Sequence, residues 1–157
     1  MTNGIDIFGK LVEACSRLER PFVADETAQK VLLTGGKDRY EIEAFIRSES
    51  RSLLLTAHIA DITDEERISA VALVLNAAND SLQQGCFDLD FEKLSVVYKL
   101  TNSFKDSIPE TETFVGLIAA AEKAAAEHGE LIDRECSFVK PMDQSSVMEE
   151  KDWRKEL

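Results

Sequence analysis

The chain has 157 residues, 44% of them hydrophobic and 31% charged, and its 18 Lys and Arg stand against 30 Asp and Glu for a net charge of −12. That length suits one domain around one core, and a composition near the soluble average excludes a fibrous repeat or wholesale disorder. The negative field repels phosphate backbones and anionic lipid surfaces, so neither nucleic acid nor membrane is expected as a partner, whereas a basic or amphipathic protein segment is favoured.

The opening MTNGIDIFGKLVEACSRLER carries acids and lysine inside its apolar stretch and does not read as a signal peptide. The longest apolar runs, LLLTAHIA and AVALVLNAA, fall short of the roughly twenty residues that cross a bilayer. Cys15, Cys86 and Cys136 are odd in number and far apart, with no C-x-x-C spacing, so neither a disulfide framework nor a zinc knuckle is expected. A cytoplasmic location follows, and no cofactor is expected.

Ile5, Phe8, Leu11, Val12, Cys15 and Leu18 recur at helical spacing until Arg20-Pro21 stops them, which predicts a helix over about 3–19. From Val31 the period becomes two. KVLLTGG, then Tyr40, Ile42, Ala44 and Ile46, then Leu53, Leu55, Ala57 and Ile59 predict three strands, joined by turn chemistry at 35–38 and 48–51 into an antiparallel meander. Thr63-Asp64-Glu65-Glu66 reads as a capping box with the threonine hydroxyl accepting from the Glu66 amide. A second helix runs from there to about Gln84, with Gly85 as the left-handed residue that ends it. Strands over about 86–90 and 95–103 follow. Pro109, Glu110 and Glu112 open a third helix, within which Gly129 is a candidate early stop. Residues 1–140 are expected to form a single domain and 141–157 a mobile charged tail. The order helix-β-β-β-helix-β-β-helix is α+β, an antiparallel sheet packed by helices, with one sheet face covered and the other open to water.

Asp88, Asp90 and Glu92 alternate with Phe87, Leu89 and Phe91, so they are either a metal-binding carboxylate cluster or the bend of a hairpin. Residues two apart on a strand lie roughly 6.6 Å from each other and do not converge, and no second acidic segment or calcium-loop spacing is present. In the hairpin reading Phe87 and Leu89 face the core, Asp90 starts the turn through its side chain, and Val96 and Tyr98 return on the partner strand. His58 and His128 have no neighbouring ligand at metal spacing, Cys15 has no base beside it, and Gly35-Gly36-Lys37 precedes a strand rather than the helix a phosphate loop requires. Asn76 and Asn79 fall on or beside the apolar stripe of the second helix, where nearby loop or strand backbone must satisfy them.

At these residues the chain resembles the YbjN-like group, proposed regulators of sensory transduction. LNAANDSLQQG followed by CFDLDFEKLSVVYKL is similar to the group's asparagine-ended helix, G-x-F-x-hydrophobic-D hairpin and aromatic-basic pair. Gly85, Phe87, Leu89, Asp90, Glu92, Val96, Tyr98 and Lys99 fit in register, while the turn glycine common in the group falls at Leu94. The group is similar in fold to type III secretion chaperones, small acidic proteins that commonly dimerise and hold client segments. The resemblance therefore implies a non-enzymatic, homodimeric chaperone-like protein or regulatory adaptor holding a partner protein or peptide, with no catalytic residues to carry over. The alternative is a metal-dependent enzyme centred on Asp88, Asp90 and Glu92.

Overall fold

The computed structural model describes residues 3–35 and 40–138, with side chains from Ile7 onward; the segment expected to be a mobile tail, 141–157, lies outside the described residues. Helix α1 (Asn3–Arg17) buries Phe8, Leu11, Ala14 and Cys15 on one stripe. It ends two residues before the expected 19, where Glu19 turns left-handed with a φ of 53°, a common way to leave a helix. Pro21 then starts extended backbone.

Among the described residues six strands follow where five were expected: β1 (Phe22–Asp25), β2 (Lys30–Leu33), β3 (Ile42–Arg47), β4 (Ser52–Asp61), β5 (Cys86–Asp90) and β6 (Ser95–Ser103). They form one antiparallel sheet in the order β1-β2-β3-β4-β6-β5. The additional strand is β1. Three of its four residues are exposed, so no alternation of burial marks it in the sequence, and it is a strand because it pairs along β2.

Helix α2 (Ile68–Asp80) is shorter than expected at both ends. Its approach is a single 3-10 turn, Glu65–Arg67, capped by Asp64, whose Oδ1 accepts from the Glu66 amide at 3.0 Å. Thr63, expected to hold that cap, instead directs its amide and its hydroxyl to the Cys136 carbonyl, which lies at the end of α3 and has no partner within its helix. Gly85 has the expected positive φ, 72°, but sits beyond Ser81–Gln84, immediately before β5, and so does not end α2. A Cβ there would collide with the Tyr98 hydroxyl and the Lys99 carbonyl. Helix α3 (Thr111–Ser137) runs through Gly129 without a break. That glycine is buried against the Tyr40 ring, where a Cβ would clash, so it serves close packing between helix and sheet rather than termination.

Val31, Leu33, Ile42, Ala44, Ile46, Leu55, Ala57, Phe87, Val96, Tyr98 and Leu100 project from one side of the sheet into a single core. The buried residues of α1, α2 and α3 belong to the same core, which places all three helices on that side. The opposite side carries Val23, Leu32, Phe45, Leu54, Thr56 and Val97, paired in register as Val23 with Leu32 and Phe45 with Leu54, and no described helix covers it.

Arg20 ties the layers together. Its side chain is 2% exposed, and its guanidinium donates to the carbonyls of Thr34 at 2.9 Å and Tyr40 at 2.7 Å while pairing with Glu122 of α3 at 3.0 Å. Replacing it leaves those carbonyls and the carboxylate without their donor. Arg20→Ala is expected to lower stability by about 3–5 kcal/mol in urea unfolding. Arg20→Lys should recover little of it, because an ammonium cannot present the planar fork that reaches three segments at once.

Candidate functional site

The β5–β6 hairpin brings most of the sequence-selected residues together. Phe87 is buried, Leu89 half-buried, and Val96 and Tyr98 fully buried; Phe87 pairs with Tyr98 and Leu89 with Val96 across the strands. The Phe87 and Tyr98 rings meet edge-on at 5.5 Å, a favourable aromatic geometry. The Asp90 Oδ1 accepts from the amides of Glu92 and Lys93, both at 3.1 Å, which builds the bend. Glu92 is exposed. Leu94, where the resembled group often has glycine, adopts a φ of 48°, a conformation that costs a branched side chain of the order of 1–2 kcal/mol; its carbonyl accepts from the Ile62 amide at 2.7 Å.

The three acids do not converge. The Asp88 Oδ2 pairs with the Lys99 Nζ at 3.2 Å and its Oδ1 accepts from the Leu89 amide at 2.9 Å, so Asp88 and Asp90 are both engaged by groups of the hairpin itself. Among the described residues no three His, Cys, Asp or Glu side chains group to hold an ion. His58 lies exposed beside Asp61 at 3.3 Å. His128 bonds the Ser81 hydroxyl at 3.1 Å and stacks edge-on against Phe87. Burial pushes the thiols of Cys15 and Cys136 up to about 11, leaving Cys86 as the exposed cysteine.

The two asparagines part ways. Asn76, expected to be buried, is exposed, because it lies one step off the stripe formed by Val71, Leu75 and Ala78. Asn79 is half-buried and grips the outer edge of β5: its Oδ1 accepts from the Phe87 amide at 2.7 Å and its Nδ2 donates to the Phe87 carbonyl at 3.0 Å. One side chain thus satisfies the outward backbone groups of an edge residue as a neighbouring strand would. With Asp88 holding the Leu89 amide, both outward N–H groups of β5 are occupied.

At the opposite end of the sheet the edge is different. The Thr34 amide bonds the Pro21 carbonyl at 2.9 Å, which sets the β1–β2 pattern: Val23 and Asp25 bond inward to β2, and Phe22 and Ala24 point their N–H and C=O groups outward. Among the described residues nothing bonds those four groups. Sequence reasoning missed them because β1 shows no burial period; the only available signal was Pro21 followed by the short run FVAD and the turn residues behind it. Next to this edge, on the uncovered face, the Lys30 ammonium lies 5.2 Å from the centroid of the Phe45 ring and 3.5 Å from Glu43. A shallow groove of about 340 Å³ between residues 81–84 and α3 is lined by Leu82, Gly116, Ala120, Lys123 and Glu127. No described helix is long and apolar enough to cross a membrane.

No protein-family model matches the sequence, and no curated protein matches it. Solved structures do resemble it. YbjN from E. coli, a proposed transcription regulator, superposes with a TM-score of 0.59 at 16% identity, covering 78% of this chain and 87% of its own. A chain of the HopA1–SchA chaperone–effector complex gives 0.55 at 16% identity over 80% of this chain and 95% of that one. A chain of the ExsC–ExsE complex gives 0.60 at 15% identity, over 84% and 96%. At these identities the likeness is one of fold. The α+β architecture similar to YbjN and to type III secretion chaperones, read from the sequence, is the architecture observed.

Two measurements probe the site. Asn79→Ala should cost about 1–3 kcal/mol through the orphaned Phe87 groups and should speed hydrogen exchange at the Phe87 amide above that of its β6 neighbours. Burial, with the nearby Cys86, pushes the Tyr98 hydroxyl up to about 12 from its ordinary 10. The neutral phenol therefore contributes stability that is complete below pH 10 and is lost as pH rises from 10 to 12. Tyr98→Phe should lose about 1 kcal/mol at neutral pH with the bond to the Gln84 carbonyl, yet lose less than the wild type over that alkaline range in pH-dependent unfolding.

Proposed function

We propose that this protein is a non-enzymatic, cytoplasmic binding protein, a chaperone-like holder or regulatory adaptor that works as a homodimer and keeps a segment of a partner protein on its sheet. The observation that carries this reading is the one-sided sheet: among the described residues three helices cover one face, and an apolar strip on the other face has no helix over it and lies beside an edge whose outward backbone groups are bonded by none of those residues. Exposed backbone and apolar surface of this kind suit recognition by strand addition or groove packing. Two further points support it. One similar structure is a chaperone–effector complex, and the net charge of −12 favours encounter with basic segments.

Asp88 and Asp90 are bonded within the hairpin and Glu92 is exposed, so no reaction is assigned to them. Thermal unfolding with magnesium, calcium, manganese or zinc distinguishes the readings. A resident ion at a hundredfold excess over its Kd would stabilise the fold by about 2.7 kcal/mol. No such shift is expected; one that disappears in Glu92→Ala would replace partner holding with a metal-dependent enzyme. Light scattering at micromolar concentration should give twice the monomer mass.

A further inference from the structure

We infer that a cleft at one end of the sheet, between the β1–β2 turn and the β3–β4 turn, binds a free α-amino acid with an apolar side chain. The site is separate from partner holding and does not rest on it. The cavity measures about 430 Å³, within the roughly 300–1,000 Å³ usual for small-molecule pockets. Ala28 and Gln29 line it from the first turn, Phe45 and Arg47 from the end of β3, and Glu49 and Ser50 from the second turn. Arg47 and Glu49 thus bring opposite charges to one cavity. They do not pair with each other, and among the described residues neither forms an ion pair elsewhere. A ligand carrying both signs fills the gap between them.

The hydrogen bonds assign the two ends of that ligand. The Arg47 Nε donates to the Ser52 Oγ at 3.2 Å, and no described group bonds its two terminal nitrogens, which present a fork to a carboxylate. Ser52 is 4% exposed and its Oγ lies 2.7 Å from the Ser50 Oγ. Having accepted from Arg47, Ser52 directs its own proton to Ser50, its other bonded partner among the described residues. The exposed Ser50 hydroxyl is left with a proton to donate outward, a second donor for the same carboxylate. Glu49 and Gln29 have the opposite need. Glu49 is exposed and only accepts. The Gln29 Nε2 donates to the Glu26 carbonyl at 2.7 Å, while its buried Oε1 has no partner among the described residues. An ammonium is the donor that this wall lacks. A zwitterion meets both needs without net charge, so the −12 field that repels phosphate or a simple carboxylate does not act against it. Phe45 and Ala28 receive an apolar side chain; a polar one would give up its water there without a partner.

Titration calorimetry of the full chain with L-leucine tests the site, beside N-acetyl-L-leucine, which lacks the ammonium, and L-leucinamide, which lacks the carboxylate. Leucine should bind at one site, and each analogue about tenfold more weakly or worse, the loss of one charged hydrogen-bonding end. Glu49→Gln should weaken leucine by a similar factor without weakening N-acetyl-L-leucine. Arg47→Gln should weaken leucine and N-acetyl-L-leucine alike and leave L-leucinamide as it was. Glu49 is an exposed turn residue, so its variant keeps the test decisive if Arg47→Gln folds poorly. No saturable binding of leucine, or equal binding by the wild type and Glu49→Gln, would overturn the assignment. So would L-serine binding as tightly as leucine, because the apolar wall would then select nothing. N-acetyl-L-leucine binding as tightly as leucine would also overturn it, since the cleft would then take the carboxylate end of a peptide chain instead of a free amino acid.

Discussion

The guanidinium of Arg20 is the point on which the arrangement of the sheet depends. It lies where α1 has ended and β1 is about to begin, and it bonds carbonyls at the end of β2 and just before β3 while pairing with a carboxylate of α3. Burying a charge so completely is costly unless every neighbouring acceptor is used, so the chain has essentially one way to run past it. Pro21 must emerge beside Thr34, and the bond between the Pro21 carbonyl and the Thr34 amide then sets the phase of every pairing in β1. The identity of the outward-facing residues, Phe22 and Ala24, is a consequence of that phase. A shift by one residue would turn Val23 inward and present a different pair of groups to solvent.

The far edge of the same sheet is finished by a different device. α2 packs beside β5, and Asn79 reaches sideways from it to occupy the backbone that a further strand would use. The polar side chain and the apolar stripe serve one geometry: Val71, Leu75 and Ala78 hold the helix against the core, and the helix holds the asparagine at the edge. The two edges of this antiparallel sheet therefore differ: a side chain occupies the outward groups of one, and no described residue bonds those of the other. All described helices lie on one face of it.

The hairpin acids are placed by the hairpin's own geometry. Three acids at alternate positions look like ligands, yet each has a local task or none: Asp88 neutralises Lys99 and fills an edge amide, Asp90 shapes the turn, and Glu92 is solvated. The energetically consequential residues are the apolar and aromatic ones between them, with Phe87 edge-on to Tyr98 and the Tyr98 hydroxyl against Gly85. Gly85 is required there less to end a helix than to let the tyrosine hydroxyl lie against the backbone and donate to the Gln84 carbonyl at 2.9 Å.

The sequence alone determined the α+β order, the three helices, the five strands with a burial or turn signature, and the β5–β6 hairpin to the residue, because each carries a period of two or 3.6 or a turn residue that short-range sterics reads directly. It also determined the acidity. Tertiary structure decided what has no local signal. β1 is a strand only because β2 is there to pair with it, Thr63 gives up its cap because the end of α3 offers a carbonyl, and Gly129 continues a helix because Tyr40 needs the space. It also separated Asn76 from Asn79. Both belong to the same helical run, and only the position of β5 beside one of them makes that asparagine an edge cap.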